Sequence, residues 1–276
     1  MLQLIEYLLY GIISGLSGIL PVSSEAHQNM LLSLLGKEQM LPLCDFMIDL
    51  ALLACVMFCT RDLLNHYIQE RSIRMRVRKR RGKRVFLANS LDFRIVTTAA
   101  VPMILVYMIG RRFSESLYAP LAMTATLVLN GLLLIIPDHI RQGNKEAKHM
   151  TGFDSIYFGF LSGLSCIPGI SRIAAGTCAA STRGADKQKA LTWVLLLSIP
   201  ALAMAGVIDL FAVFSAGFSY SASDIIMCLS SAVAAFACGY GGILLLRFLS
   251  VNAGYSWFAY YSWGAAIFYF VLYLIN

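Results

Sequence analysis

Two stretches of this sequence carry residues that could grip an anion. The first runs Gly15-Leu16-Ser17-Gly18-Ile19-Leu20-Pro21-Val22-Ser23-Ser24-Glu25-Ala26-His27, the second Gly163-Leu164-Ser165-Cys166-Ile167-Pro168-Gly169-Ile170-Ser171-Arg172. Each begins Ser-Gly-Leu-Ser, at Ser14 and at Ser162, reaches a proline within a few residues and then presents hydroxyls. Arg172 is the most informative single residue, because a guanidinium is a planar fork of donors matched to phosphate oxygens. It follows a Pro-Gly break between apolar segments, where an ionised side chain is costly and functional by default. The bland alternative is an arginine neutralised by a buried carboxylate or by carbonyls at a helix end. A helix starting after Pro168-Gly169 adds free backbone amides that favour phosphate, which brings Gly169 and Ser171 into the candidate binding set. In the first stretch, Ser23, Ser24 and His27 form a compact polar group. Ser24 and His27 are three residues apart and share a helix face, as nucleophile and base or as two phosphate donors. Ser23 reads equally well as a helix cap.

These groups have to be held by helices that break. Pro21 removes a backbone donor and clashes with the preceding turn, so the apolar run 2–20 stops there. Residues 26–35 make a second short helix ended by Gly36. Two helices meeting at a polar break predict a re-entrant hairpin over 2–35, and a second over 155–181 with its break at Pro168-Gly169. Irregular backbone at membrane depth is tolerated only where protein covers it or water fills it. Paired broken helices at matching places in two halves point to a binding site near the bilayer midplane.

The rest of the chain reads as membrane. Of 276 residues, 58% are hydrophobic and 13% charged, with a mean hydropathy of +0.71, more apolar surface than a soluble domain of this length could bury. Apolar runs predict spans near 46–60, 93–109, 119–136, 190–214, 225–249 and 257–275. Aromatic residues such as Tyr255, Trp257 and Tyr273 sit at the ends of the last spans as interfacial anchors. The first apolar run lacks a basic flank, so no cleavable signal peptide is expected. Seven cysteines show neither metal-ligand nor disulfide spacing and read as small hydrophobes. The expected fold class is an all-α integral membrane protein built as an inverted-topology repeat. Residues 1–150 form the first repeat and 151–276 the second, each a re-entrant hairpin plus three spans.

Charge tests that topology. An odd number of spans per half turns the second half over, which gathers the loops 61–84, 138–151 and 181–189 and Arg247 on one side. They hold most of the Lys/Arg, against Lys37, Arg111 and Arg112 opposite. The positive-inside rule makes these loops cytoplasmic and both termini external. The densest run, Arg71 to Arg81, could bind nucleic acid in a soluble protein. Between spans it reads as a loop near anionic lipid, and no nucleic-acid partner is expected.

The two motifs resemble those of the undecaprenyl-diphosphate phosphatase (bacitracin-resistance) family, whose first motif reads roughly Glu-Gly-Leu-Thr-Glu-Phe-Leu-Pro-Val-Ser-Ser-Thr-Gly-His and whose second reads Pro-Gly-x-Ser-Arg-Ser-Gly-Ala-Thr. Leu20 to Ser24 with His27, and Pro168 to Arg172, match in identity and spacing. The resemblance implies an enzyme of the bacterial cytoplasmic membrane. Such an enzyme removes the terminal phosphate of a C55 polyprenyl diphosphate at the outer face and regenerates the lipid carrier for cell-wall synthesis. It implies catalytic or phosphate-contacting roles for Ser24, His27 and Arg172 and supporting roles for Ser23 and Ser171. Its partners would be the polyprenyl lipid and membrane lipids, and the sequence admits a homodimer without requiring one. This chain departs from the family at both motif glutamates, which fall on Ser14 and Gly18. In the family those carboxylates hold a divalent cation, Mg²⁺ or Ca²⁺, or act as acid and base; here the use of any metal is open. Glu25 is the nearest replacement carboxylate, with Glu6 and Asp49 as more distant candidates. The second motif also carries Ile173 and Ala174 where the family has Ser-Gly. A phosphatase with a rearranged acid/base is the leading reading. The alternatives are a non-hydrolytic polyprenyl-phosphate transporter or flippase, which needs the clamp but not the carboxylates, and a protein that only binds the lipid.

Overall fold

Proline, glycine and cap residues set the helix boundaries. Pro21 ends α1 (Leu2–Ile19), and the Ser23 side chain caps α2 (Ser24–Leu35), which stops at Gly36 with φ 63°. Proline sits at the first position of α3 (Pro42–Cys59) and of α6 (Pro120–His139), where its missing N–H costs nothing. Reciprocal Ser/Thr–Asp capping boxes, Thr151 with Asp154 and Ser221 with Asp224, start α7 (Gly152–Gly163) and α10 (Ala222–Asn252). Asp186 caps α9 (Lys187–Ser215). The set is completed by α4 (Arg61–Arg81), α5 (Ala88–Arg111), α8 (Arg172–Thr182) and α11 (Ser256–Ile275). The structure, a computed structural model, describes residues 2–81, 88–113, 115–141, 143, 145–217 and 220–275. No strand occurs among them, and seven of the helices are long and apolar enough to cross a membrane. With side chains such as Val233, Phe248, Ile267 and Phe211 on the outside, the chain is an all-α integral membrane protein that passes the bilayer several times.

Two details differ from the sequence reading. The basic stretch expected as a loop is helical from Arg61 to Arg81, because it holds no glycine or proline before Gly82 and is rich in good helix formers. Residues 82–84 of that stretch lie outside the described residues. Second, α1 has 18 residues, about 27 Å at 1.5 Å each, and is one of the seven helices long enough to span. The helices of the second broken segment, α7 and α8, have 12 and 11 residues.

The helices pair closely through small residues. α1 lies on α10, with Gly11 and Gly15 against the Ser231 and Ala235 backbone; a Cβ at Gly15 would come within 2.6 Å of the Ala235 carbonyl oxygen. α7 lies on α5 in the same manner, with Gly159 and Gly163 against Ala99 and Met103, where a Cβ at Gly163 would come within 2.8 Å of the Met103 carbonyl oxygen. Small residues four apart let helix backbones approach in a bilayer, where packing replaces the hydrophobic effect. α3 packs on α9 and α10, α5 also packs on α9, and α6 packs on α11.

Ion pairs gather at one end of the bundle. Asp154 joins Arg183, Asp138 lies 2.6 Å from Lys187, and Asp138 also accepts from the Ser256 amide and hydroxyl at 2.7 Å. The Lys145 amide donates to Gly184 and the Trp193 indole to Asp92. Loops 138–151 and 181–189 therefore meet with the starts of α5, α9 and α11.

Candidate functional site

The two broken segments touch each other. The Ser23 hydroxyl, already the cap of α2, also accepts the Gly169 amide at 3.0 Å. Gly169 has φ +97°, a left-handed conformation that glycine alone adopts without strain. The fully buried side chain of Asn130 on α6 donates to the Pro21 carbonyl at 3.1 Å and accepts the Ser171 amide at 2.8 Å. Thr126, one turn earlier, donates to the Pro168 carbonyl at 2.5 Å. Backbone groups freed by two prolines are thus paired, as a break within a membrane protein demands.

Around this junction lies a cavity of about 320 Å³. Ser23, Ser24, Ser171 and Arg172 all line it. Arg172 opens α8, and its Nε donates to the Ser198 hydroxyl at 3.3 Å, which in turn bonds to the Val194 carbonyl. The guanidinium's two terminal nitrogens make no further hydrogen bond among the described residues, and Asp49 and Tyr107 are its charged or ionisable neighbours. The serines offer hydroxyls: Ser24 is half-buried and accepts from Ser17 at 3.4 Å. Facing them are four carboxyls: Glu25, Asp45 and Asp49 on α3, and Asp209 on α9. Glu25 accepts from the Tyr118 hydroxyl at 3.2 Å, and Arg111, bonded to Tyr107, lies beside it. Arg111, Tyr118 and Asp209 belong to the end of the bundle opposite the ion-paired loops, so the cavity reaches toward that end.

Not every expected residue lies here. His27 is absent from the cavity lining; it lies on the other side of α2, in an apolar groove of about 410 Å³ with Ile13, Met30, Leu34 and Phe268. Its ring stacks on Tyr261 and both nitrogens are engaged, Nδ1 with the Ser23 carbonyl at 2.7 Å and Nε2 with the Tyr261 hydroxyl at 2.9 Å. A shared helix face left room for the two to diverge: Ser24, Glu25 and Gln28 look into the cavity while His27, Met30 and Leu34 look out. Glu6 also lies elsewhere, paired with Lys37.

Asp45, Asp209, Arg111 and Tyr118 escaped the sequence reading. The signal for Asp45 was present, since it lies four residues before Asp49 in an apolar helix and intramembrane acids are functional by default. At the positions of the family's motif glutamates, Ser14 is fully buried and accepts from Gln28 at 2.9 Å, whereas Gly18 lines the cavity beside the Leu52 side chain. Among the described residues, no group of three or more His, Cys, Asp or Glu side chains is arranged to hold a metal ion. Ser14 and Gly18 themselves supply no carboxylate for the divalent cation of the family pattern.

Fold and site together define a multi-pass helical membrane protein with a polar cavity, lined by Arg172, serines and four carboxyls, where two broken helical segments meet. The sequence profile of the family described as bacitracin resistance protein BacA matches residues 7–268, and the chain belongs to that family. It is 26% identical to an undecaprenyl-diphosphatase of Carboxydothermus hydrogenoformans over 259 residues, 94% of this chain and 93% of that protein. It is 28% identical to one of Alkaliphilus metalliredigens over 263 residues, 93% of this chain and 94% of that one. An undecaprenyl-diphosphatase of Thermodesulfovibrio yellowstonii is 27% identical over 281 residues, 99% of both chains.

Proposed function

We propose that this protein hydrolyses undecaprenyl diphosphate to the monophosphate and inorganic phosphate within the membrane. The observation that carries the reading is one cavity bringing together Ser24, Arg172 and the start of α8 inside an otherwise apolar body. In this reading Arg172 takes the terminal phosphate through its two terminal nitrogens, and the first amides of α8 add donors. Ser24 donates to a phosphate oxygen; His27, turned away from the cavity, does not serve as its base. Ser23, Ser171 and Gly169 hold the backbone that presents these donors, and His27 braces the Ser23 carbonyl. Glu25, between Tyr118 and Arg111, stands at the outer part of the cavity. Fixed charge of this kind is the main means of accelerating phosphoryl transfer. Transport without hydrolysis is not favoured, because its ground was the loss of both motif carboxylates, and four other carboxyls line this cavity. The basic end would face the cytoplasm of a bacterial cytoplasmic membrane, leaving the cavity toward the outer leaflet and both termini outside.

The test is phosphate release from undecaprenyl diphosphate by purified protein, with and without Mg²⁺ or Ca²⁺. Release is expected, and Arg172→Ala should lower kcat/KM by about 100-fold or more, the scale of losing a charge-stabilising donor. Retained lipid binding with no release would replace this reading with transport.

A further inference from the structure

We propose that Asp49 and Asp209, which line one cavity with Arg172, act as a pair in the proton transfers of the reaction. The inference rests on the phosphatase reading above. It starts from the four carboxyls of the cavity and asks what each is bonded to. Glu25 is held by Tyr118 beside Arg111, and Asp45 accepts from the Tyr10 hydroxyl at 2.7 Å. Asp49 and Asp209 have each other: their carboxyls lie within hydrogen-bond reach across the contact between α3 and α9. Gly206, one turn before Asp209, lies beside Asp49, since a Cβ there would sit in ordinary contact with that of Asp49 at 3.8 Å. Asp49 is also the carboxylate that acts on the Arg172 charge. One turn further along α3, Leu52 abuts Gly18, which is next to Ser24. The α3 face carrying Asp49 therefore looks across the cavity at the phosphate donors.

A hydrogen bond between two carboxyls carries one proton, so the pair contains both an acceptor and a donor. Water attacks the terminal phosphorus. The new O–P bond forms as the bridging P–O bond breaks, and the ionised member of the pair takes a proton from the attacking water. The bonding pair leaves on the bridging oxygen, which receives the proton held by the other member. The products are inorganic phosphate and the lipid monophosphate. A proton passing between the two carboxyls along their hydrogen bond restores the starting pair.

Purified Asp49→Asn tests this with undecaprenyl diphosphate as substrate and undecaprenyl monophosphate as the binding probe. We expect kcat to fall about 100-fold or more, the range of general acid–base catalysis, with KM and monophosphate binding changed by no more than about threefold, as befits a group that acts on the reacting atoms and not on binding. Asp209→Asn should fall too, and the double variant should fall little further, as for residues acting as a unit. The acid-side decline of the rate should shift in the residual activity of Asp49→Asn, because the pair has lost one of its two titrating groups. Turnover within a few-fold of the unaltered protein would overturn the assignment. So would loss of monophosphate binding in step with turnover, which would make Asp49 a binding or packing residue. An unaltered protein that releases no phosphate would sink the phosphatase reading itself, a different result from an active protein beside an active variant.

Discussion

Asn130 commits both ends of its amide to backbone, donating to Pro21 on one break and accepting from Ser171 on the other, with a further bond to Ser262. Removing it leaves a buried carbonyl and a buried amide without partners, at about 1–3 kcal/mol each. Asn130→Ala should therefore lower the thermal unfolding midpoint in detergent by several degrees and weaken monophosphate binding, since both breaks shift. Unchanged melting and binding would mean that the breaks hold themselves. Nothing in the sequence marks this residue. It is a single asparagine in an apolar helix, and its partners lie 109 and 41 residues away. Arg172 and Ser24 were legible because charge and hydroxyls beside proline breaks are rare in apolar chain and have few structural uses. The Asp49–Asp209 pair was not, since its two halves sit on helices with no local motif and meet only when α3 packs on α9.

The elements depend on glycine more than on any long apolar side chain. Gly15 and Gly163, the shared glycines of the two Ser-Gly-Leu-Ser stretches, each let a broken helix press on the backbone of a full one, α10 and α5 respectively. Gly15→Ala and Gly163→Ala should each destabilise by about 1–3 kcal/mol through overpacking, by similar amounts because the two contacts are alike. Gly264→Ala is the control: nothing lies within 4 Å of a Cβ there, so the exchange should be neutral or stabilise by up to about 1 kcal/mol through helix propensity. Melting in detergent reads all three, and a Gly15→Ala variant as stable as Gly264→Ala would refute close packing. At this scale much of the fold was legible. Apolar runs bounded by charge, proline and glycine mark a membrane helix directly, because the bilayer fixes its length. The helical state of residues 61–81 was not, because polar composition alone suggests a loop and helix propensity there is unopposed by any breaker.

At the scale of the whole molecule, we propose an inverted repeat that part of the contact pattern fits, although α6–α8 and α8–α9 lack comparably extensive counterparts in α11–α2 and α2–α3. Matching α1, α2, α3, α5 and α6 to α7, α8, α9, α10 and α11 turns the α1–α10 contact into α7–α5 and the α3–α10 contact into α9–α5, and both members of each pair exist. The contacts α3–α9 and α6–α11 map onto themselves, and α4 has no counterpart. A two-fold axis relating the halves would pass through those two contacts, and the polar cavity is lined from α1, α2, α3, α5, α8 and α9. The arrangement fixes which ends share a side: residues near Glu38 and Ser223 lie away from the ion-paired loops that contain Glu146 and Lys148. With the positive-inside rule setting the absolute direction, single cysteines can be introduced into a cysteine-free background. Glu38→Cys and Ser223→Cys should then react with an impermeant maleimide on intact cells. Glu146→Cys and Lys148→Cys should react only after the membrane is opened. Labelling of Glu146→Cys on intact cells would reverse the orientation and put the cavity on the cytoplasmic side. Labelling of Glu38→Cys and Glu146→Cys alike from one side would remove the two-fold arrangement altogether.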